Sequence, residues 1–228
     1  DEQGSATRIK PGKTQVTVAG PGDKDIYRLA VRKEGVLSAR VGGIRGVDFV
    51  LYVRAGDGRE LKRYDETGEG GDEQALDIGV SEGECLIELS NKSSKAGSSQ
   101  PYTLETAIAP SAGREREPDD SPQTASPMEL PGLTRGYFHP ARNLLSGDTD
   151  YAESDWYRLE VETPGLSLLN LNGGGVPNVD FSIEVYDVNA YKIRESDTGG
   201  AGEGESLKGF GVRGPARYFL RLAAKRRT

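Results

Sequence analysis

Two short stretches, Lys24–Val31 (KDIYRLAV) and Ser154–Val161 (SDWYRLEV), say nearly the same thing roughly 130 residues apart. Self-similarity at that distance exceeds any solenoid period, so it marks two copies of a whole domain rather than small units that must stack. The 228 residues are therefore expected to form two domains, 1–109 and 110–228, the second including its linker. With 35% hydrophobic and 29% charged residues, each core must be thin and well patterned, which favours layered sheets.

A period of two runs through the first copy. Thr14–Val18 alternates β-branched and polar residues, Tyr27, Leu29 and Val31 share one face, and Leu37, Ala39 and Val41 repeat the pattern. Phe49, Leu51 and Val53 follow, then the turn Ala55-Gly56-Asp57-Gly58 and a return through Leu61 and Tyr64. Strands around Leu76–Val80, Cys85–Leu89 and Tyr102–Thr106 complete a set with no convincing helix, while Asp1–Pro11 reads as a loose lead-in and Asn91–Gln100 as a polar loop. The expected fold is all-β: two tandem antiparallel jelly-roll-like β-sandwiches.

Pro110–Ser126 is rich in Pro, Ser and charge and reads as linker passing into the second copy. There, Leu133–Phe138, Asp155–Val161, Leu166–Leu171 and Val179–Tyr186 are expected strands, with Phe181, Ile183 and Val185 in the places of Phe49, Leu51 and Val53. Tyr218, Leu220 and Leu222 stand for Cys85, Ile87 and Leu89, and the loop TGGAGEGES for TGEGGDEQ. The strand PYTLETAI, Pro101–Ile108, has no counterpart in the second copy. An open edge is expected there, to be met by further natural sequence, by the lead-in, or by a strand-addition partner.

A net charge of −7 and a pI near 5.0 argue against non-specific nucleic-acid binding, which needs a positive surface. No apolar run approaches the ~18 residues of a membrane span, and the chain opens DEQGSATRIK rather than with a signal region. The basic run Lys225-Arg226-Arg227 reads as a solvated tail. Cys85 is the single cysteine, which excludes an intrachain disulfide and, in an alternating CLIEL context, reads as a buried thiol. His139 has no second histidine to chelate with and no nucleophile elbow to serve. The glycine-rich GEGG and GAGEGE lack a following helix and Lys-Ser/Thr, so they are loops rather than phosphate cradles. No carboxylate pair is singled out for catalysis, and an enzyme is not expected. Asp25 and Asp155 open matching strands and read as turn caps, with metal binding as the other use. Trp156 faces away from the core stripe, to pack against a neighbouring element or to serve as an exposed sugar platform.

The run Glu115-Arg116-Glu117-Pro118-Asp119-Asp120-Ser121, then Gly136-Tyr137-Phe138, Asp148, Asp150 and Asp155-Trp156-Tyr157-Arg158-Leu159 resembles the bacterial pre-peptidase C-terminal domain. Val179-Asp180-Phe181 and Gly202-Glu203-Gly204-Glu205 are similar to that family as well. The likeness covers Glu115–Ala223 and, more weakly, Thr14–Ile108, which lacks the acidic opening; Asp119 stands where the family usually has Asn. The resemblance implies a non-catalytic jelly-roll-like sandwich of a bacterial secreted, periplasmic or cell-surface protein. Its relatives include collagenase collagen-binding domains that bind calcium near the domain opening. Protein, matrix or polysaccharide partners follow from it. Glu115, Glu117, Asp119 and Asp120 are the candidate Ca²⁺ ligands, since crowded oxygens suit that ion; a solvated acidic linker is the other reading of the same run, which lacks EF-hand spacing.

Overall fold

The computed structural model describes residues 5–93, 95–138 and 153–225. The chain divides into two compact units, Asp1–Pro118 and Asp119–Thr228, so the division falls after Pro118 rather than near Ala109. The reason is local: beyond the last strand of the first unit, the Glu117 N–H donates to the Asp77 carbonyl at 2.9 Å and the Gly79 N–H donates to the Glu117 carbonyl at 2.8 Å. A segment read as linker is thus bonded to a strand.

In the first unit, β1 (Thr7–Ile9), β3 (Lys24–Val31), β8 (Gly83–Asn91), β5 (Phe49–Ala55) and β6 (Glu60–Tyr64) form one sheet in that order. The other sheet runs β2 (Gly12–Ala19), β9 (Ser98–Ala109), β4 (Gly35–Val41) and β7 (Glu73–Val80). Inward residues of both sheets make one core: Leu29, Leu37, Leu51, Ile78, Ile87 and Leu104 are buried in it, with Phe49 edge-on to Tyr102 at 5.2 Å between centroids. This is the expected sandwich.

The second unit repeats the plan with fused strands. Its sheet runs β10 (Ser126–Met128), β11 (Ser154–Gly173), β14 (Glu205–Ala224), β12 (Phe181–Tyr186) and β13 (Lys192–Ser196). The near half of β11 does the work of β3 and its far half that of β4, so the strands expected at Asp155 and Leu166 are one element. Gly165, at φ 96°, carries the chain through the corner between the halves, a conformation that suits glycine. Registers confirm the sequence echoes: Tyr27 faces Ile87 and Leu29 faces Cys85, while Tyr157 faces Leu220 and Leu159 faces Tyr218.

Two expectations need correction. Leu133–Phe138 is not a strand; Leu133 is 75% exposed, and only a bridge at Arg135 interrupts the irregular backbone. The strand that opens the second unit is β10, which lies parallel to β11 with Ser126 opposite Tyr157. Its counterpart is β1, within the supposed lead-in, parallel to β3 with Thr7 opposite Tyr27. Among the described residues, the strands of each unit pair antiparallel except for one short parallel pair at an edge; an isolated parallel bridge also joins Ile78 and Glu117.

Candidate functional site

The acidic run is an extended strip whose burial alternates, as the period of two demands of any extended backbone with one face covered. Glu115, Glu117 and Asp119 are 0%, 1% and 0% exposed, whereas Asp120 is in solvent. A solvated acidic linker is therefore a correction to make: three of its four candidate residues point inward. Main-chain bonds hold the strip in that register, Glu117 lying parallel to Ile78 and the Asp119 carbonyl accepting from the Trp156 N–H at 2.9 Å.

Of the four candidate ligands, Asp119 comes together with Asp155 within the second unit, each offering a carboxylate oxygen within 4.8 Å of the other. Glu115 and Glu117 belong to the first unit. Lys62 donates to both oxygens of Glu117 at 2.9 Å, and the Ser126 hydroxyl donates to Asp119 Oδ2 at 2.8 Å. The Asp119–Asp155 pair is oxygen-only, as a hard cation such as Ca²⁺ requires. The sequence reads Asp155 together with Asp25 as a turn cap, with metal binding as the other use; the surroundings of the two differ. Asp25 Oδ2 accepts from the Tyr102 hydroxyl at 2.5 Å, and the Tyr27 and Tyr102 hydroxyls are 2.5 Å apart.

In this tyrosine–aspartate chain burial pushes the Asp25 carboxyl up, against the opposing pull of the Tyr102 hydroxyl. Burial also pushes the Tyr27 phenol up to about 12. Tyr102→Phe is expected to raise the Asp25 pKa further and to cost about 1.5–3 kcal/mol, the worth of a hydrogen bond to a charged group; carboxyl NMR titration and urea unfolding check the two effects.

Four other buried carboxylates serve the fold. Glu73, 0% exposed, accepts from the N–H groups of Glu66 and Thr67 and from the Thr67 hydroxyl at 2.6–2.9 Å. Glu205 repeats this in the second unit, accepting from the Thr198 N–H at 2.8 Å, the Gly199 N–H and the Ser196 hydroxyl at 2.7 Å. The glycine-rich loops are thus hung on a buried glutamate, a role the sequence reading did not assign although TGEGGDE and TGGAGEGE align on it. On the outer faces Glu88 pairs with Lys24 at 2.7 Å and Arg54 at 2.9 Å, and Glu184 with Lys192 and Arg221, each at 3.2 Å. Burial pushes Glu88 up, yet the Lys24 and Arg54 bonds outweigh it and hold its carboxyl below the usual range.

Trp156 is 9% exposed; its ring lies 4.7 Å from that of Tyr186, in a cluster with Ala125 and Phe219. It packs under the segment 119–126 and is not a sugar platform. Cys85 is buried as expected, and burial pushes its thiol up to about 11, which leaves no thiolate at neutral pH. His139, Asp148 and Asp150 lie outside the described residues.

No family model matches the chain and no curated protein matches it. Among solved structures, the chain is similar to the pre-peptidase C-terminal domain of collagenase from Bacillus anthracis. That match has 14% identity and a TM-score of 0.38, and it covers 45% of this chain and 95% of that one. The chain is also similar to the PBSX exported protein XepA, at 11% identity and a TM-score of 0.33 over 93% of this chain and 86% of that one.

Proposed function

We propose that the chain is a non-catalytic binding and spacer module of a bacterial secreted or cell-surface protein, recognising protein or matrix, with Ca²⁺ held by Asp119 and Asp155 of the second unit. The observation that carries this reading is the use of the buried acids. Glu73 and Glu205 each hold a loop, and Glu88 and Glu184 each hold basic side chains. Asp119 and Asp155 converge within the second unit as an oxygen-only pair. A bound divalent cation would supply positive charge against these carboxylates and fix the strip to the start of β11. The carbohydrate reading loses its support with Trp156 packed inside.

Calcium titration of the full chain by calorimetry is expected to give a saturable heat in the micromolar to millimolar range typical of such sites. Asp119→Ala or Asp155→Ala should abolish that heat. Melting with excess Ca²⁺ should exceed melting with chelator by the linkage expected for a ligand of the folded state. No heat and no shift would sink the calcium site. Retention of the wild-type chain on immobilised collagen but not on insoluble polysaccharide tests the partner class, and the reverse result would restore the carbohydrate reading.

A further inference from the structure

The hairpin turn between β5 and β6 recurs between β12 and β13. The Ala55 N–H donates to the Arg59 carbonyl at 2.9 Å and the Asp187 N–H to the Tyr191 carbonyl at 3.0 Å; Gly58 and Ala190 turn at φ 88° and 60°. The backbone is kept and the side chains are not. Gly56, Asp57, Arg59 and Leu61 stand where the second unit has Val188, Asn189, Tyr191 and Ile193. Glu84, before Cys85, stands where Arg217 precedes Tyr218. What differs between two copies of one turn is not dictated by the turn.

In the first unit this hairpin and the β7–β8 turn enclose a cavity of about 340 Å³, within the range of about 300–1,000 Å³ typical of small-ligand pockets. Gly56 lets the hairpin lean on β8, since a Cβ there would lie 2.7 Å from the Glu84 carbonyl oxygen. The deeper lining is apolar: Val80 and Cys85 are buried, and Ala55 and Leu61 are half-buried. The exposed lining carries three carboxylates, Asp57, Glu82 and Glu84, against one cation, Arg59. Two of the three are held in place. Asp57 Oδ1 accepts from the Arg59 N–H at 2.9 Å, and Glu84 pairs with Arg28 at 2.6 Å.

We propose that this cavity takes an alkylammonium group, with its methylenes against Leu61, Val80 and Cys85 and its charge among Asp57, Glu82 and Glu84. A lysine side chain has this build, an apolar stem under a cationic head, and a free primary amine shares it. Bonds from an ammonium to carboxylates are charge-assisted and stronger than neutral ones. The second unit, with Asn189 and Arg217 in the places of Asp57 and Glu84, lacks the acidic rim. A lysine side chain as the source would fall within the protein recognition proposed above and rest on that reading; a free amine would not. Neither depends on the calcium site.

The test is a titration of the full chain with Nα-acetyl-lysine N-methylamide, which presents the side chain without a free α-amine, followed by amide chemical shifts. Saturable shifts confined to Ala55–Leu61 and Gly79–Cys85 are the expected result. The double variant Asp57→Asn/Glu82→Gln should bind about 5-fold more weakly, the size expected of two solvent-exposed ion pairs. Both carboxylates are exposed and the asparagine keeps an acceptor for the Arg59 N–H, so the variant keeps the fold, which circular dichroism checks. Pentylamine separates the sources: binding of both amines supports a lysine side chain, and binding of pentylamine alone makes a free amine the ligand. No saturating shift with either amine up to tens of millimolar overturns the proposal. Equal shifts from the uncharged norleucine derivative, or unchanged affinity in the double variant, overturn it too. Binding of the glutamate derivative instead would assign the cavity to an anion held by Arg59 and also overturn it.

Discussion

Replacing Glu205 with alanine is expected to destabilise the second unit by about 3–4 kcal/mol, with Glu73→Ala doing the same to the first. Each glutamate is buried and accepts two backbone N–H groups and at least one hydroxyl. A hydrogen bond to a charged acceptor is worth about 1.5–3 kcal/mol, and donors left buried without an acceptor cost more than the bond's mean value. The bonds share one carboxylate, so their worths do not add. For a unit of this size the loss corresponds to a fall in Tm on the order of 15 °C. Trp156 is the single tryptophan and lies in the second unit, so its fluorescence follows Glu205→Ala, while circular dichroism follows both variants. A loss under ~1 kcal/mol in each would mean that the loops hold themselves up and the glutamates only occupy the space.

The same anchor makes the second unit acid-sensitive. Burial pushes Glu205 up, but the Ser196 hydroxyl and the Gly199 and Thr198 N–H groups outweigh it, so its folded pKa lies below the unfolded value of 4.5. A depressed carboxyl contributes stability that is present above its unfolded pKa and lost as pH falls through its folded pKa. The tryptophan-reported stability should therefore decline as pH drops from about 5 toward 3, and Glu205→Gln should flatten part of that decline.

What the sequence revealed and what it hid follow from the range of the forces involved. The duplication, the inward set Phe49, Leu51, Val53 and its echo Phe181, Ile183, Val185 were legible because one buried face imposes a period of two on every strand that covers it. β1 and β10 were not, since three residues (TRI and SPM) hold no period, and their parallel pairing is decided by what lies beside them. The acidic strip was read by composition as linker, although its alternation Glu115, Glu117, Asp119 is the same period in charged residues. The sequence alone could not say which of its acids converge. Asp155 joins Asp119 from a different element of the second unit, and that contact depends on tertiary placement that spacing does not encode. The bulge at Asp77 and Gly209, with φ 49° and 61°, recurs in both units; glycine announces it in one copy and an aspartate conceals it in the other.

Of each tandem glycine pair, Gly42-Gly43 and Gly174-Gly175, the second is expected to tolerate no side chain and the first to accept one. A Cβ on Gly43 would fall on the Gly70 carbonyl oxygen and within 2.6 Å of the Gly71 backbone; one on Gly175 would fall on the Gly202 carbonyl oxygen. These carbonyls cannot retreat freely. Gly70 and Gly202 turn at φ 78° and 88°, and their N–H groups donate to Val47 and Val179 at 2.9 Å, in the very loops that Glu73 and Glu205 anchor. Gly43→Ala and Gly175→Ala should therefore cost about 2–3 kcal/mol as the loop shifts and its bonds lengthen. A Cβ on Gly42 or Gly174 would meet nothing within 4 Å, and neither residue has a left-handed φ, so alanine there should be neutral or stabilise by up to ~1 kcal/mol through the unfolded chain. Urea unfolding of the four single variants decides the point. If Gly43→Ala proved as mild as Gly42→Ala, the loop would be yielding, and the close backbone approach would not be the reason for a glycine at both equivalent positions.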